Sequence, residues 1–289
     1  MEHEPSERHL PRLTRRQFLA LSAGSLALGV GGYAWGIEPH WVQVNRRTLP
    51  IAGLPPALVG RTLVQLSDLH VGPVVSSDYL IASLKLVSSL APDLIVITGD
   101  FMTCEGMEQI DAAVRVMEHL QPGPLGCLAV VGNHEYTLNW SRTEVADRLV
   151  RRLTDLGIRV LRNECQVVAG LQVVGLDDLW GPRFRPQDVL PKLDAATPVL
   201  TLCHNPDAVD LPAMARLRGW VLSGHTHGGQ LRPPFLPPPV LPVKNRRYTA
   251  GEFALGNGRW LYINRGLGYL RRVRFNVRPE ITLFQMQRA

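Results

Sequence analysis

Residues 61–70, RTLVQLSDLH, decide the fold, because an apolar run of strand length is followed at once by Asp68 and His70. The pattern recurs at residues 94–100, LIVITGD, where a second apolar run ends at Asp100. A short continuous apolar run bounded by turn residues predicts a strand that is buried on both faces. Strands of this kind belong to sheets whose faces are covered by other layers of the protein.

Segments with helical periodicity alternate with these strands. Residues 77–90 and 111–120 predict helices, and residues 141–157 predict a third one that opens with a capping box at Ser141 and Glu144. Further strands are predicted at residues 41–44, 127–131, 166–168, 171–176, 199–203 and 220–222. This alternation predicts an α/β domain with a largely parallel sheet.

Length and composition exclude several other classes of protein. With 289 residues, 45% apolar and 19% charged, the chain is long enough to bury a large core, which excludes a mainly disordered protein. Its 4 cysteines form no CxxC pair, which excludes a small disulfide-stapled protein and a cysteine zinc ribbon. We expect one folded domain behind an N-terminal export segment.

The N-terminal segment has the features of an export signal. Arg15 and Arg16 precede residues 17–37, which are uncharged and rich in alanine, leucine and glycine. Paired arginines before such a segment indicate a twin-arginine signal, and the segment is close to the ~20 residues that span a bilayer. The segment could be cleaved or kept as an anchor, and the poor cleavage site at residues 34–36 favours retention. We therefore assign residues 1–38 to an export signal or membrane anchor.

Polar side chains with metal-binding capacity follow five of the predicted strands. These residues are Asp68, His70, Asp100, Asn133, His134, His204, His225 and His227. Ligands of α/β sheets bind outside the carboxyl ends of the strands, so these side chains can meet at one edge. In Asp68-x-His70 and His225-x-His227, alternate residues of an extended segment point to the same side.

The number and type of these side chains predict two cations. Without His134, seven side chains remain, and their two carboxylates, four imidazoles and one amide exceed what one tetrahedral ion uses. Two divalent cations would leave a surplus of positive charge, which suits an anionic substrate. A nitrogen and oxygen ligand set without thiolate favours Mn, Fe, Zn or Co.

The ordered pattern D-x-H, G-D, G-N-H-E, H and G-H-x-H resembles the calcineurin-like metallophosphoesterase superfamily. Residues 228–230, 265–268 and 279–281 are similar to the exported or membrane-associated bacterial phosphodiesterase branch. The resemblance implies a two-sheet α/β/β/α sandwich and makes residues 39–289 a metallophosphoesterase catalytic domain.

The resemblance also implies a role for each candidate residue. The first cation would be held by Asp68, His70, Asp100 and His227. The second would be held by Asp100, Asn133, His204 and His225. Asp100 would thus bridge the two cations, and His134 would be the catalytic residue that faces the phosphoryl group as general acid or charge stabiliser.

One departure from the family pattern limits the subfamilies that this chain resembles. Three residues after Asp100, where phosphoprotein phosphatases have a second aspartate and purple acid phosphatases a tyrosine ligand, this chain has Thr103. Both subfamilies are therefore poor fits. His134 also lacks its usual acidic orienting partner, and Glu135 or Asp178 are the candidates to replace it.

The expected activity is hydrolysis of phosphodiester or pyrophosphate bonds by direct attack of a metal-bound hydroxide. Residues 244–278 contain nine basic residues and one acid, Glu252, which favours anionic phosphoesters, lipid surfaces or nucleic acid, unless this is only a solvated basic face. The Pro-rich residues 231–243 include Phe235 and Leu236, which could receive the acyl part of an amphiphile. Lipid or envelope precursors are therefore the expected substrates.

Two other functions are compatible with the sequence. An exported nuclease or nucleotidase fits the basic tail, but no nucleic-acid module is recognisable, and we predict no specific nucleic acid partner. A non-catalytic metal-binding scaffold would not need His134. We expect Mn because the cytoplasm would load a protein that folds before export, with Zn or Fe also compatible. The expected partners are the twin-arginine export machinery and a membrane surface, with the protein anchored to the membrane or periplasmic.

Overall fold

The structure is a computed structural model that describes residues 14–103 and 106–289. The first 13 residues of the predicted export segment lie outside the described residues. The helices are α1 (Arg15–Gly32), α2 (Ser77–Ser89), α3 (Glu108–Met117) and α4 (Thr143–Asp155). The strands are β1 (Gln43–Ile51), β2 (Thr62–Leu66), β3 (Leu94–Thr98), β4 (Cys127–Val130), β5 (Ile158–Val160), β6 (Glu164–Val168), β7 (Leu171–Gly175), β8 (Val199–Leu202), β9 (Gly219–Ser223), β10 (Gly251–Gly256), β11 (Arg259–Ile263) and β12 (Glu280–Arg288).

The described strands form two six-stranded sheets. The first has the order β1-β12-β2-β3-β4-β5 and the second the order β10-β11-β9-β8-β7-β6. Pairing is parallel along β2-β3-β4-β5 and along β7-β8-β9-β11, whereas β12 pairs antiparallel with β2. The predicted α/β class is confirmed, and the parallel strands direct their carboxyl ends to one edge of each sheet.

The sheets pack face to face, which explains the continuous apolar runs. Leu63 of β2 lies in the core between the sheets, together with Leu200 and Trp220 of the second sheet. Its neighbour Val64 points to the opposite face and packs in the core under helices α2 to α4. Because both faces of β2 are buried, its apolar residues Leu63, Val64 and Leu66 do not alternate with exposed ones.

The second sheet has a thinner outer layer than the first. Its outer face packs against short 3₁₀ turns, including Pro206–Asp210 and Pro212–Met214, through residues such as Val209 and Met214. The two-sheet sandwich is confirmed. On this side the covering layer consists of short 3₁₀ turns, and Pro212 stops the turn Pro206–Asp210 from continuing as a helix because proline has no backbone N–H to donate.

The third predicted helix begins differently from expectation. Helix α4 starts at Thr143, and its N-cap residue Arg142 makes no side-chain capping bond. Glu144 instead accepts a hydrogen bond from Arg142 Nε at 2.6 Å. The predicted capping box at Ser141 is therefore wrong, because the arginine side chain uses the glutamate that the box requires.

Helix α1 is fully exposed along its length and is fixed to the domain at its end. It continues through Tyr33–Ile37 to His40, so that 26 residues form one helical segment long and apolar enough to cross a membrane. Ala34 O accepts a hydrogen bond from Arg274 N at 2.9 Å. The Glu38 carboxylate accepts bonds from Asn276 N and Val277 N at 2.9 and 2.5 Å. Ala34, Glu38 and Pro39 at the end of the helical segment are thus buried against the domain.

Candidate metal centre

The candidate ligands follow the carboxyl ends of β2, β3, β4, β8 and β9, as the sequence predicts. Backbone hydrogen bonds tie two of these segments together, from Asp68 N to Gly99 O and from His70 N to Asp100 O, both at 3.0 Å. Gly99 has a φ of +88°, and a Cβ at this position would lie 2.8 Å from His204 Nδ1. Glycine is therefore required where the strand ends approach each other.

Several of these ligand residues adopt a left-handed backbone conformation. The φ values are +50° for Asp68, +50° for His70, +54° for Asp100, +71° for His225 and +50° for His227. Each such conformation costs of order 1–2 kcal/mol for a residue other than glycine. Unfavourable backbone geometry concentrated in one place is typical of functional sites, where the surrounding structure compensates for it.

One group of ligand atoms lies on the segments that follow β2 and β9. His70 Nε2 lies 3.0 Å from His227 Nε2, and His227 Nε2 lies 3.3 Å from Asp68 Oδ1. All three side chains are buried. Asp100 Oδ2 lies 3.5 Å from His70 Nε2 and so borders this group.

A second group shares the Asp100 carboxylate. Asp100 Oδ2 lies 3.1 Å from His204 Nε2, which in turn lies 3.1 Å from His225 Nδ1. His204 Nδ1 donates to Thr98 O at 2.6 Å, so its Nε2 is the atom that faces the group. Asp100 therefore lies between two clusters of imidazoles, which is the position expected of a bridging ligand.

The chemistry of these atoms fits cations. His204 Nδ1 and His225 Nε2 donate to main-chain carbonyl groups, so the remaining nitrogens of these two rings, 3.1 Å apart, face each other with lone pairs when both rings are neutral. The Oδ1 atom of Asn133 is buried and has no hydrogen-bond partner within residues 14–103 and 106–289, which is costly unless a ligand is bound. Divalent cations would relieve both problems, because nitrogen and oxygen lone pairs are what they bind.

The protonation states of the imidazoles agree with this fit. Burial lowers the pKa of His225 to about 3 and that of His227 to about 4, so both keep free lone pairs at neutral pH. Burial opposes charge on His204 as well, but the Asp100 carboxylate raises its pKa well above the usual value. A cation bound beside Asp100 would replace that proton, because metal ligands must be deprotonated.

His134 lies beside the first group and is oriented by a main-chain atom. Its Nδ1 donates to Thr103 O at 2.8 Å, and its backbone N donates to Asp100 Oδ1 at 3.1 Å. Its ring contacts that of His70 edge-on, with 4.8 Å between centroids. Neither Glu135 nor Asp178 replaces the missing acidic partner of the imidazole. The carbonyl group of Thr103 does so.

Glu135 connects two of the ligand segments. Its Oε1 accepts from Phe101 N and Met102 N at 2.9 and 3.3 Å, and its Oε2 accepts from Asp100 N and Gly132 N at 3.0 and 2.7 Å. Burial and the nearby Asp100 carboxylate raise the pKa of Glu135 to about 8, while the N–H donors favour the ionised form. Cations next to Asp100 would remove the repulsion between the two carboxylates.

The two aspartates after β7 have different surroundings. Asp177 accepts hydrogen bonds from Arg162 Nε at 2.7 Å and from the Tyr136 hydroxyl. Asp178 Oδ1 accepts from Trp180 N at 2.8 Å, and Asp178 Oδ2 is buried without a partner among the described residues. Both carboxylates therefore fix the loop after β7.

The sequence interpretation overlooked two tryptophans beside the second group. Trp180 contacts the His225 ring edge-on at 4.5 Å, and Trp140 stacks on Trp180 at 4.5 Å with an interplanar angle of 30°. Their positions carried a signal, because Trp140 closely follows the G-N-H-E motif and Trp180 follows a strand end.

The basic stretch does not form one charged surface. Arg274 is buried and donates to several main-chain carbonyl groups, including Gly266 O and Gly268 O. Arg265 forms an ion pair with Glu280 at 2.6 Å. Part of the positive charge predicted to attract anionic partners therefore stabilises the fold around the site.

A cavity of about 600 Å³ is not this site. It is lined by residues such as Ile51, Trp220 and Trp260, at the edge where β9 and β11 begin. The candidate ligands follow the opposite ends of the strands. The cavity lining contains none of the candidate ligands.

A two-sheet α/β sandwich with clustered aspartates and histidines at the strand ends defines a metal-dependent hydrolase of phosphoric esters. Comparison with known proteins agrees with this class. Residues 61–229 match the calcineurin-like phosphoesterase family, and the chain belongs to this family.

Three relatives are similar over most of their length. The uncharacterized metallophosphoesterase YkuE of Bacillus subtilis is 33% identical over 96% of this chain and 99% of its own. Phosphodiesterase YaeI of Escherichia coli is 33% identical over 95% of this chain and 99% of its own. The UDP-2,3-diacylglucosamine pyrophosphatase LpxG of Chlamydia trachomatis is 28% identical over 90% of this chain and 94% of its own.

Proposed function

We propose that this chain hydrolyses phosphodiester or pyrophosphate bonds of lipid or envelope-related substrates with the aid of two divalent cations. The proposal rests on the position of Asp100, whose carboxylate is shared by two groups of imidazoles. Relatives named as a phosphodiesterase and as a UDP-2,3-diacylglucosamine pyrophosphatase support the type of bond.

The ligand assignment proposed from the sequence is supported by the two groups of atoms. One cation would be held by Asp68, His70, Asp100 and His227. The other would be held by Asp100, Asn133, His204 and His225. When bound, such a pair of cations neutralises charge on phosphoryl oxygens and makes water a nucleophile near neutral pH. We propose Mn, with Zn or Fe as the alternatives, because the ligands are nitrogen and oxygen atoms only.

We propose that His134 protonates or stabilises the leaving oxygen. Because its Nδ1–H is donated to Thr103 O, its Nε2 is free to face a substrate. The hydrogen bond from its backbone N to Asp100 holds the residue next to the shared carboxylate. A positioned acid of this kind contributes about 10²–10⁴-fold to a rate.

The test uses the full chain purified in detergent. Metal analysis should find two divalent cations per chain, and the protein should hydrolyse bis(p-nitrophenyl) phosphate faster when Mn is added. Asp100→Asn should lose both turnover and bound metal, whereas Asp188→Asn, on an exposed turn, should lose neither. Full activity of Asp100→Asn, or bound metal without turnover in the parent protein, would overturn the proposal.

The Pro-rich loop at residues 231–243 supports a lipid substrate. Phe235 and Leu236 are exposed at its tip, at 106% and 65% of their accessible surface. The loop reaches the candidate metal ligands, because His225 Nε2 donates to Pro242 O at 2.8 Å. Exposed apolar residues attached to a polar site suit a substrate with one apolar and one charged end.

Replacing both loop residues tests the lipid assignment. Phe235→Ser combined with Leu236→Ser should raise the KM for a phospholipid in mixed micelles and leave the hydrolysis of bis(p-nitrophenyl) phosphate unchanged. The control is Val167→Ser, which is also exposed, on β6 at the edge of the second sheet. Equal losses on both substrates would argue against a lipid contact.

We propose that residues 1–38 carry a twin-arginine signal that is retained as a membrane anchor. Retention is supported by Ala34, whose hydrogen bond from Arg274 N would be lost on cleavage at residues 34–36. Such cleavage would also place the new N-terminus beside Glu38, which accepts hydrogen bonds from Asn276 N and Val277 N. Trp35 and Trp41 are both exposed, and an arginine lies over each ring. The Cζ atom of Arg272 is 4.3 Å from the ring centroid of Trp35, and that of Arg278 is 3.9 Å from the ring centroid of Trp41. Exposed tryptophans beside basic residues are typical of a membrane interface.

Two measurements test the anchor. Mass spectrometry of protein extracted from membranes should find an uncleaved N-terminal segment, and replacing Arg15 and Arg16 with lysine should keep the protein in the cytoplasm. A mature chain that starts near residue 37, or export of the double-lysine variant at the parent rate, would overturn the assignment.

A further inference from the structure

Two stacked tryptophans lie on the side of the second ligand group, and no step described above uses them. Trp180 contacts the ring of His225, and Trp140 stacks on Trp180. The two ring-to-ring steps of 4.5 Å place Trp140 at most about 9 Å from His225. One of the largest apolar side chains, Trp140, remains 38% exposed there.

Trp180 is held rigidly in its position. Its backbone N donates to Asp178 Oδ1 at 2.8 Å, and Gly181 N donates to Asp178 O at 3.0 Å. A Cβ at residue 181 would lie 2.7 Å from Cε2 of Tyr136, so only glycine lets the chain pass this ring. The loop that carries Trp180 is therefore fixed before any substrate arrives.

Trp140 is presented by an unfavourable stretch of backbone. Thr137 and Asn139 have φ values of +66° and +65°, and Trp140 itself has a φ of +49°. Threonine is branched at Cβ and is rarely found in this region of backbone conformation. Three such residues within four positions, directly after the G-N-H-E motif, indicate that the position of the Trp140 ring is functional.

Arg142 and Arg183, which follow Trp140 and Trp180 by two and three positions, are both in ion pairs. Arg142 bonds Glu144 at 2.6 Å, and Arg183 bonds Asp147 at 2.7 Å. Recognition at Trp140 would therefore depend on ring stacking rather than on charge. Stacking on an aromatic side chain accepts any nucleobase, because every base has a flat π face.

We propose that the Trp140–Trp180 pair binds the nucleobase of a substrate in which a nucleoside is joined to a lipid through a pyrophosphate. This inference rests on the proposed function, and it names the part of the substrate that lies opposite the acyl chain. Residues 231–243 contact one side of His225 through Pro242, and Trp180 contacts the ring of the same histidine. Water adds to one phosphorus, the P–O–P bond breaks, and the products are a nucleoside monophosphate and a lipid phosphate, which share the protons of the water.

The test compares two pyrophosphates with the full chain in detergent. One is UDP-N-acetylglucosamine, which carries a base, and the other is dimethyl pyrophosphate, which carries none. Trp140→Ala should raise the KM for the nucleotide about 5- to 100-fold more than the KM for dimethyl pyrophosphate, from the usual contribution of base stacking. Trp140→Phe should restore most of the difference, because phenylalanine keeps a flat face.

Trp260→Ala is the matched control. Trp260 is 36% exposed and stacks on Trp220 at 5.5 Å, but it lies at the opposite ends of the strands. The ratio of the two KM values should not change in this variant. Calorimetry should also find that Trp140→Ala binds UMP more weakly than the parent protein does. Its binding of inorganic phosphate, measured in the same way, should weaken less.

The outcomes separate this inference from the proposed function. If the parent protein hydrolyses neither pyrophosphate nor bis(p-nitrophenyl) phosphate, the proposed function is wrong. If it hydrolyses them but Trp140→Ala changes both KM values equally or neither, only the nucleobase assignment is wrong. A preference between UDP and ADP derivatives greater than about 100-fold would also contradict recognition by stacking alone.

Discussion

Replacing Glu135 with glutamine should destabilise the folded protein strongly, although the two side chains have nearly the same shape. Each carboxylate oxygen of Glu135 accepts hydrogen bonds from two backbone N–H groups. In glutamine one oxygen becomes an NH₂ donor, so either orientation of the amide leaves two buried N–H groups without an acceptor. Each unsatisfied buried donor costs about 1–3 kcal/mol, so the expected loss of unfolding free energy is about 2–6 kcal/mol.

The assay is thermal unfolding of the metal-loaded chain, with metal content measured on the same sample. In a domain of this size a loss of 1 kcal/mol lowers Tm by about 2–4 °C, so Glu135→Gln should melt about 5–20 °C below the parent protein. Because the four N–H groups belong to the segments around Asp100 and Gly132, metal affinity should fall about 10- to 100-fold as well.

The control for this prediction is a second glutamate that is exposed. Glu164 has an exposed side chain and pairs with Arg159 at 3.7 Å, so Glu164→Gln should change stability by less than about 0.5 kcal/mol. Equal Tm values for Glu135→Gln and the parent protein would mean that Glu135 carries a proton in the folded state. The N–H groups would then not hold a carboxylate, and our explanation of the loop geometry would be wrong.

Three further outcomes are expected. His134→Ala should lower kcat by about 10²- to 10⁴-fold with unchanged metal content, measured by steady-state kinetics and metal analysis, and a large loss of metal would make His134 a ligand instead. Removing the metals with a chelator should abolish activity and lower Tm, and activity should return with added Mn; a chelated protein with the original Tm would contradict binding at the buried clusters. Gly99→Ala should unfold at lower temperature and retain less metal, because its Cβ would press on Gly132 N at 2.6 Å and on His204, whereas Gly53→Ala, with free space around it, should retain its metal.

Sequence patterns were sufficient for the strands that carry the site but not for the outer strands. Strands β2 and β3 are buried on both faces, so their apolar residues do not alternate with exposed ones, and β3 is apolar from Leu94 to Ile97. Strand β10 is only half-buried and alternates with exposed residues, and β12 pairs with β1 from the other end of the chain. Those pairings depend on long-range contacts that no local pattern records.

The sequence by itself determined which chemical groups this protein can offer. The order of its aspartates, histidines and asparagine, each placed after an apolar strand, was enough to predict metal-assisted phosphoester hydrolysis. This works because parallel strands end at one edge of a sheet, so residues far apart in the chain are brought together whenever they follow such strands.

Only the tertiary structure decided how those groups are held. The Thr103 carbonyl orients His134, and four main-chain N–H groups fix Glu135. Every residue of the chain except proline offers the same main-chain N–H and C=O groups, so the sequence cannot indicate which of them will meet a given side chain. The stack of Trp140 on Trp180 likewise depends on two loops separated by one helix and three strands, whose approach is set by the packing of the two sheets.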